Sequence, residues 1–217
     1  MDARLVPNPT NDGNGRGAWV TAASRHRSRR GSGDRQRAKA FGELARDVIE
    51  IRSEEPGDSA AIQEVHTKAF GGPLEAKLVR LITERKKALI SLVAVNDARV
   101  VGHILFSRVT IADVPAAFDG VGLAPVAVLP KFQRQGIGSK MIREGLERCR
   151  QAGYKAVVVL GDPAFYSRFG FVRAADFRLQ NEYGVHDEFM VLPLRRGALD
   201  GVSGMVKYLP EFSEVEC

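Results

Sequence analysis

The segment Val126-Ala127-Val128-Leu129-Pro130-Lys131-Phe132-Gln133-Arg134-Gln135-Gly136-Ile137-Gly138-Ser139-Lys140 carries the most specific chemistry in the sequence. An apolar strand runs into two glycines spaced by one residue, and an amphipathic helix follows. Such a junction presents unpaired backbone N–H groups at the positive end of the helix dipole, and the glycines let an anion approach the backbone with no Cβ in the way. The segment reads as a cradle for a diphosphate. Two commoner phosphate loops are excluded: the dinucleotide fingerprint needs a third glycine where Met141 stands, and the P-loop needs Gly-Lys-Ser/Thr, which is absent. For a bare Gly-x-Gly, helix-capping glycines are the plainer reading; the surrounding strand and helix narrow it.

The hydrophobic pattern supplies the elements that must position this loop. Val48 to Arg52 reads as a first strand, and Pro56-Gly57-Asp58 as a turn that caps a helix bearing Ala61, Ile62, Val65, His66, Ala69 and Phe70. A second helix carries Leu74, Leu78, Leu81 and Ile82 behind Pro73. Leu89 to Val95 and Arg99 to Ile111 are β-rich runs joined by Asn96-Asp97-Ala98, an antiparallel hairpin. Gly122 to Leu129 is the next strand, and Ser139 to Gln151 a helix with Met141, Ile142, Leu146 and Cys149 on one face, closing at Gly153. Ala156 to Leu160 is wholly apolar, as a buried central strand requires. A brief helix at Pro163 to Phe169, a strand from Phe171 and a last strand at Phe189 to Leu194 complete the order β-α-α-β-β-β-α-β-α-β-β. Hairpins combined with one strand-helix-strand crossover define an α+β domain with a mixed sheet. Pro125 marks a bulge or an edge, so its strand is expected to splay from Ala156 to Leu160 and open a cleft; a proline that merely begins the strand is the alternative.

A chain of 217 residues, 44% of them hydrophobic, suits one core without staples plus an appendage. Cys149 and Cys217 are the only cysteines, too few for a disulfide framework or a four-ligand zinc site, and no metal is expected. No run of about 18 apolar residues and no signal-peptide pattern occurs, so a soluble cytoplasmic protein with no membrane partner is expected. Residues 1–47 hold ten Lys and Arg against five Asp and Glu; residues 48–217 hold 22 against 21 and are nearly neutral. The first segment, rich in Asn, Gly, Ser and Arg, is expected to be a disordered basic extension, either solvated or an upstream artefact of the start codon. Nucleic acid is conceivable only through it, because the rest has no basic surplus. The expected organisation is an extension over 1–47, a domain over 48–212 and a short tail over 213–217.

Gln133-Arg134-Gln135-Gly136-Ile137-Gly138 resembles the Gln/Arg-x-x-Gly-x-Gly/Ala signature of the GNAT N-acetyltransferases, between their fourth strand and third helix. Phe165-Tyr166-Ser167-Arg168-Phe169-Gly170-Phe171 is similar to the aromatic segment that closes that fold. Val101-Gly102-His103-Ile104-Leu105-Phe106-Ser107 and Gly204…Tyr208-Leu209-Pro210 look like the YhbS-like bacterial branch. The resemblance spans about residues 48–212. It implies a mostly antiparallel mixed sheet flanked by helices, with a central V-shaped splay between two parallel strands. It also implies acetyl-CoA as co-substrate and no metal. Pantetheine would pair with Val126, Ala127 and Val128, and the pyrophosphate would meet Gln133, Arg134, Gln135, Gly136, Ile137, Gly138, Ser139 and Lys140.

Within this frame Tyr166, a phenol with a pKa near 10, is the candidate general acid for the departing thiolate, and packing among its aromatic neighbours is the alternative. The Asn usual at the end of the family's fifth strand is missing, and Gly161-Asp162-Pro163 shortens the helix that follows. No Glu lies in the strand at 122–129 where some relatives carry a base. His103 is the candidate base; a satisfied core histidine, Asp162 or a water relay are alternatives. His66 and His186 read as isolated structural residues. An enzyme acetylating a small-molecule or protein amine leads. Set against it are a catalytically degenerate acyl-CoA sensor and an extension that brings the enzyme to nucleic acid. A homodimer is compatible with the sequence, and the acceptor is not written in it.

Overall fold

The computed structural model describes residues 6–7, 19–20, 49–112 and 118–215. Two short strands, β1 (Val6–Pro7) and β2 (Trp19–Val20), pair antiparallel. The rest of the segment expected to be disordered lies outside the described residues. Among those described, no helix is long and apolar enough to cross a membrane.

The main sheet starts with β3 (Glu50–Ser53), which pairs antiparallel with β4 (Ala88–Asn96). Between them stand α1 (Ser59–Phe70) and α2 (Leu74–Glu84). The turn Pro56–Asp58 sets the start of α1: the Asp58 carboxylate accepts from Glu55 N–H at 2.8 Å and from the two terminal guanidinium nitrogens of Arg52. Gly71, left-handed at φ 76, ends α1 by donating to the Thr67 carbonyl. β4 turns into β5 (Arg99–Ile111) with Asn96 opposite Arg99, so the loop is the two residues Asp97 and Ala98. Both have positive φ, 44 and 62, as a type I′ turn requires.

β5 pairs on its other side with β6 (Gly120–Val128), and the order continues through β7 (Ala156–Leu160), β10 (Phe189–Pro193) and β8 (Val172–Arg173). Only β6 and β7 run parallel in that path, joined by the crossover helix α3 (Ile137–Gln151). α3 covers one face of β5, where Gly145 admits the Phe106 ring; a Cβ there would stand 2.4 Å from it. α1 covers the other face, where His66 meets His103. The expected α+β architecture, mixed sheet and central splay are present.

The elements near the end depart from the sequence reading. The strand from Phe171 is only Val172–Arg173, and three elements were not foreseen: β9 (Leu179–Asn181), β11 (Gly204–Lys207) and α5 (Glu211–Glu214). β11 pairs parallel with β9 and antiparallel with Thr110 and Ile111 of β5. α5 is held by its buried Glu211, which meets Arg85 at 2.9 Å and Lys87 at 2.6 Å.

Candidate active site

The cleft forms where β6 leaves β7. Their ladder covers Gly120–Gly122 against Ala156–Val158 and stops. There Pro125 follows a cis peptide bond, and Ala124 and Pro125 together oppose Leu105 of β5, between the pairs Ile104↔Val126 and Phe106↔Leu123. Proline cannot donate to a ladder, and the extra residue bends the strand, so the edge of β6 beyond Gly122 turns away from β7. The bulge expected at Pro125 is thus present, and it opens a cleft of about 320 Å³.

One wall is Val126, Ala127 and Val128; the floor is the loop into α3, with Gln133, Arg134, Gly136, Ile137, Gly138 and Ser139. Of the cradle expected from sequence, only Gln135 and Lys140 stand off the wall, Gln135 donating to the Lys131 carbonyl at 3.1 Å. The loop is braced by the Gln133 side chain, which donates to the Val128 carbonyl at 2.9 Å. Arg134 and Gly136 both adopt positive φ, 62 and 84, and Gly136 caps α3 with no side-chain hydrogen bond. The first helical bond runs from Lys140 N–H to the Gly136 carbonyl, so the amides before it point outward unused, which suits an anion. A Cβ on Gly136 would meet nothing within 4 Å, and one on Gly138 only Val128 at 3.8 Å. Both would occupy the cradle rather than clash with the protein. Arg134 and Arg168, which both line the cleft, form no ion pair among the described residues, so the cleft carries two unpaired cationic side chains.

The remaining wall was not foreseen: Ala69 and Phe70 from the end of α1, Phe132, Ile142, Phe165 and Arg168. Arg168 lies 4.5 Å over the Phe165 ring and donates to its carbonyl. Its place in the aromatic segment was the one available signal.

Tyr166 sits in α4 (Pro163–Tyr166), whose start Asp162 caps by accepting from Ala164 N–H at 2.9 Å. That cap is the structural role weighed for Asp162. Tyr166 is 2% exposed and lies behind the wall, edge-on to Phe165 at 5.1 Å and to Phe171 at 5.6 Å. Its ring fits only because residue 161 is glycine; a Cβ there would stand 2.2 Å from it. Burial, with the nearby Asp162 charge, raises the phenol pKa and holds it protonated.

His103 is fully buried on β5, opposite Ala127, and is absent from the wall. Its Nδ1 is 2.8 Å from His66 Nε2 and its Nε2 is 2.8 Å from Ser91 Oγ. Burial drives its pKa down to about 3, against the opposing pull of Asp58. His66 is therefore not isolated: it is this imidazole's partner, and its pKa too is lowered by burial and by His103.

Residues 59–171 match the Acetyltransferase (GNAT) family, and the chain belongs to it. The uncharacterised N-acetyltransferase YhbS of Escherichia coli K12 is 39% identical over 165 residues, 75% of this chain and 98% of that protein. The crystal structure of Escherichia coli YhbS in complex with CoA superposes with a TM-score of 0.72 at 38% identity, covering 76% of this chain and 92% of that one. A Brucella melitensis GNAT acetyltransferase in complex with acetyl-CoA gives 0.65 at 37% identity, covering 76% and 99%.

Proposed function

We propose that the cleft binds acetyl-CoA and that the protein moves its acetyl group to a primary amine of a small-molecule or protein acceptor, by direct attack in a ternary complex. The observation that carries this reading is the meeting of an outward-facing helix N-terminus, two open glycines and the unpaired edge of β6 on one cleft. The diphosphate lies on the amides from Arg134 to Ser139, and pantetheine runs along Val126 to Val128 as an added strand. N–H groups freed by the bulge at Pro125 donate to the thioester oxygen and stabilise the charge that develops on it as the amine attacks. Tyr166, held protonated, supplies the proton or hydrogen bond to the departing sulfur. No step uses a metal. The cysteine usage supports a cytoplasmic setting.

A second reading, a catalytically silent acyl-CoA sensor, is favoured by one fact: neither Tyr166 nor His103 lines the cleft. Two measurements separate the cases. Calorimetry should find acetyl-CoA binding in the parent and at least tenfold weaker binding in Gly138→Val, with an unchanged melting temperature. Release of free CoA across a panel of amines should reveal turnover, and binding without turnover on any amine favours the sensor.

A further inference from the structure

An amine that becomes an amide must lose a proton, yet the cleft wall contains no carboxylate and no imidazole. Behind it a file of four polar side chains crosses the sheet. We propose that His66, His103, Ser91 and Glu54 form a proton relay from the cleft to the opposite surface, an inference that rests on the acetyl-transfer function above.

The hydrogen-bond chemistry fixes the direction of the file. Ser91 Oγ donates to the Glu54 carboxylate, which accepts only. The serine proton is thereby committed, so His103 Nε2 must carry the hydrogen that joins it to Ser91 Oγ. His103 Nδ1 is then a lone pair and accepts from His66 Nε2–H. His66 Nδ1 is left as a bare lone pair, buried and without a partner. A purely structural pair would satisfy both ends, and a buried orphan acceptor calls for a reason.

Its position supplies one. His66 lies one helical turn before Ala69 and Phe70, which wall the cleft, and its ring stacks flat with Phe70 at 5.9 Å. At the far end Glu54 is 15% exposed and borders two surface grooves. The other charge acting on His103 is Asp58, from the start of α1, which is itself paired with Arg52 of β3. Burial keeps both imidazoles neutral, so they pass protons rather than store them.

The transfer balances. His66 Nδ1, which lies behind the wall formed by Ala69 and Phe70, takes the proton from the acceptor nitrogen through water admitted from the cleft. His66 Nε2–H passes to His103 Nδ1, His103 Nε2–H to Ser91 Oγ, and the serine proton to Glu54. Four N–H or O–H bonds break and four form. The file now points the other way, and the return hop that resets it carries one proton from Glu54 back to the cleft. There it ends on the departing thiolate if Tyr166 only hydrogen-bonds the sulfur, or on the Tyr166 phenolate if the phenol has given its proton to the sulfur.

Variants at the far end test this without touching the cleft. Glu54→Gln keeps an acceptor for Ser91 but removes the terminal base, Ser91→Ala breaks the file, and Ser91→Thr preserves it. With acetyl-CoA and a panel of small primary amines, the first two should lower kcat at least tenfold with KM for acetyl-CoA unchanged, the loss narrowing as pH rises. Ser91→Thr should restore the rate. Side-chain nitrogen-15 NMR of the full chain should find Nε2–H on both imidazoles. Parent-like kcat and pH profile in Glu54→Gln, or an Nδ1–H on His66, would overturn the relay alone. A parent that binds acetyl-CoA and acetylates no amine would instead sink the transfer reading, and the relay with it.

Discussion

Tyr166 is the residue where packing and chemistry make opposite forecasts. Its ring fills a buried aromatic cluster, so Tyr166→Phe should keep the melting temperature and the affinity for acetyl-CoA. If the hydroxyl serves the departing sulfur, kcat should fall by up to about 100-fold, the low end for a general acid because a thiolate is already a fair leaving group. Parent-like turnover of Tyr166→Phe across pH would remove the role. His66 and His103 leave a second signature, in stability. Both are held below the ordinary histidine value, so below about pH 6.5 the unfolded chain binds protons that the folded chain refuses. Stability is therefore full above that pH and falls with acid, by up to about 1.4 kcal/mol per pH unit for each imidazole. Asp58 and Glu211, with lowered carboxylate pKa values, lose their contribution only in a more acidic window. Urea midpoints compared between pH 7 and pH 5 isolate the imidazoles, and a flat line would mean that they are not neutral in the fold.

At the scale of elements, the end of β7 and the start of α4 are locked by one contact. Gly161→Ala drives a Cβ into the Tyr166 ring, and overpacking of this kind costs about 1 to 3 kcal/mol. A melting temperature several degrees lower than the parent's is expected by calorimetry. The elements that organise this contact were legible in sequence because their periodicity is strong. α3 alternates apolar and charged faces, β7 is uniformly apolar, and Pro125 announced the bulge that splits β6 from β7. β9, β11 and α5 were not legible. Each has four residues or fewer, too short for a period, and each owes its form to distant partners: β11 to Ile111, α5 to Arg85 and Lys87. The pairing of His66 with His103 escaped for the same reason, since 37 residues separate them and only the stacking of α1 on β5 joins them. The glycine loop was readable because its function is local: backbone amides and missing side chains need no remote partner.

At the scale of the whole molecule, the three residue pairs at Gly120–Gly122 are the only ladder between β6 and β7. On one side lie β3, β4, β5 and β6 with α1 and α2; on the other lie β7, β10 and β8. Sheets transmit cooperativity through their ladders, so a seam this narrow leaves two regions able to open separately. A pantetheine lying along β6 would extend hydrogen bonding past the point where β7 departs. Acetyl-CoA should then do more than raise stability by mass action. Hydrogen exchange of the free protein should resolve distinct opening energies for β4–β5 and β7–β10, and saturating acetyl-CoA should merge them. Equal protection of both pairs without ligand would show that β11, tied to β5 and β9, already suffices as the second stitch. The gap that makes room for the cofactor would thus also let its arrival decide whether the domain unfolds as two cooperative units or as one.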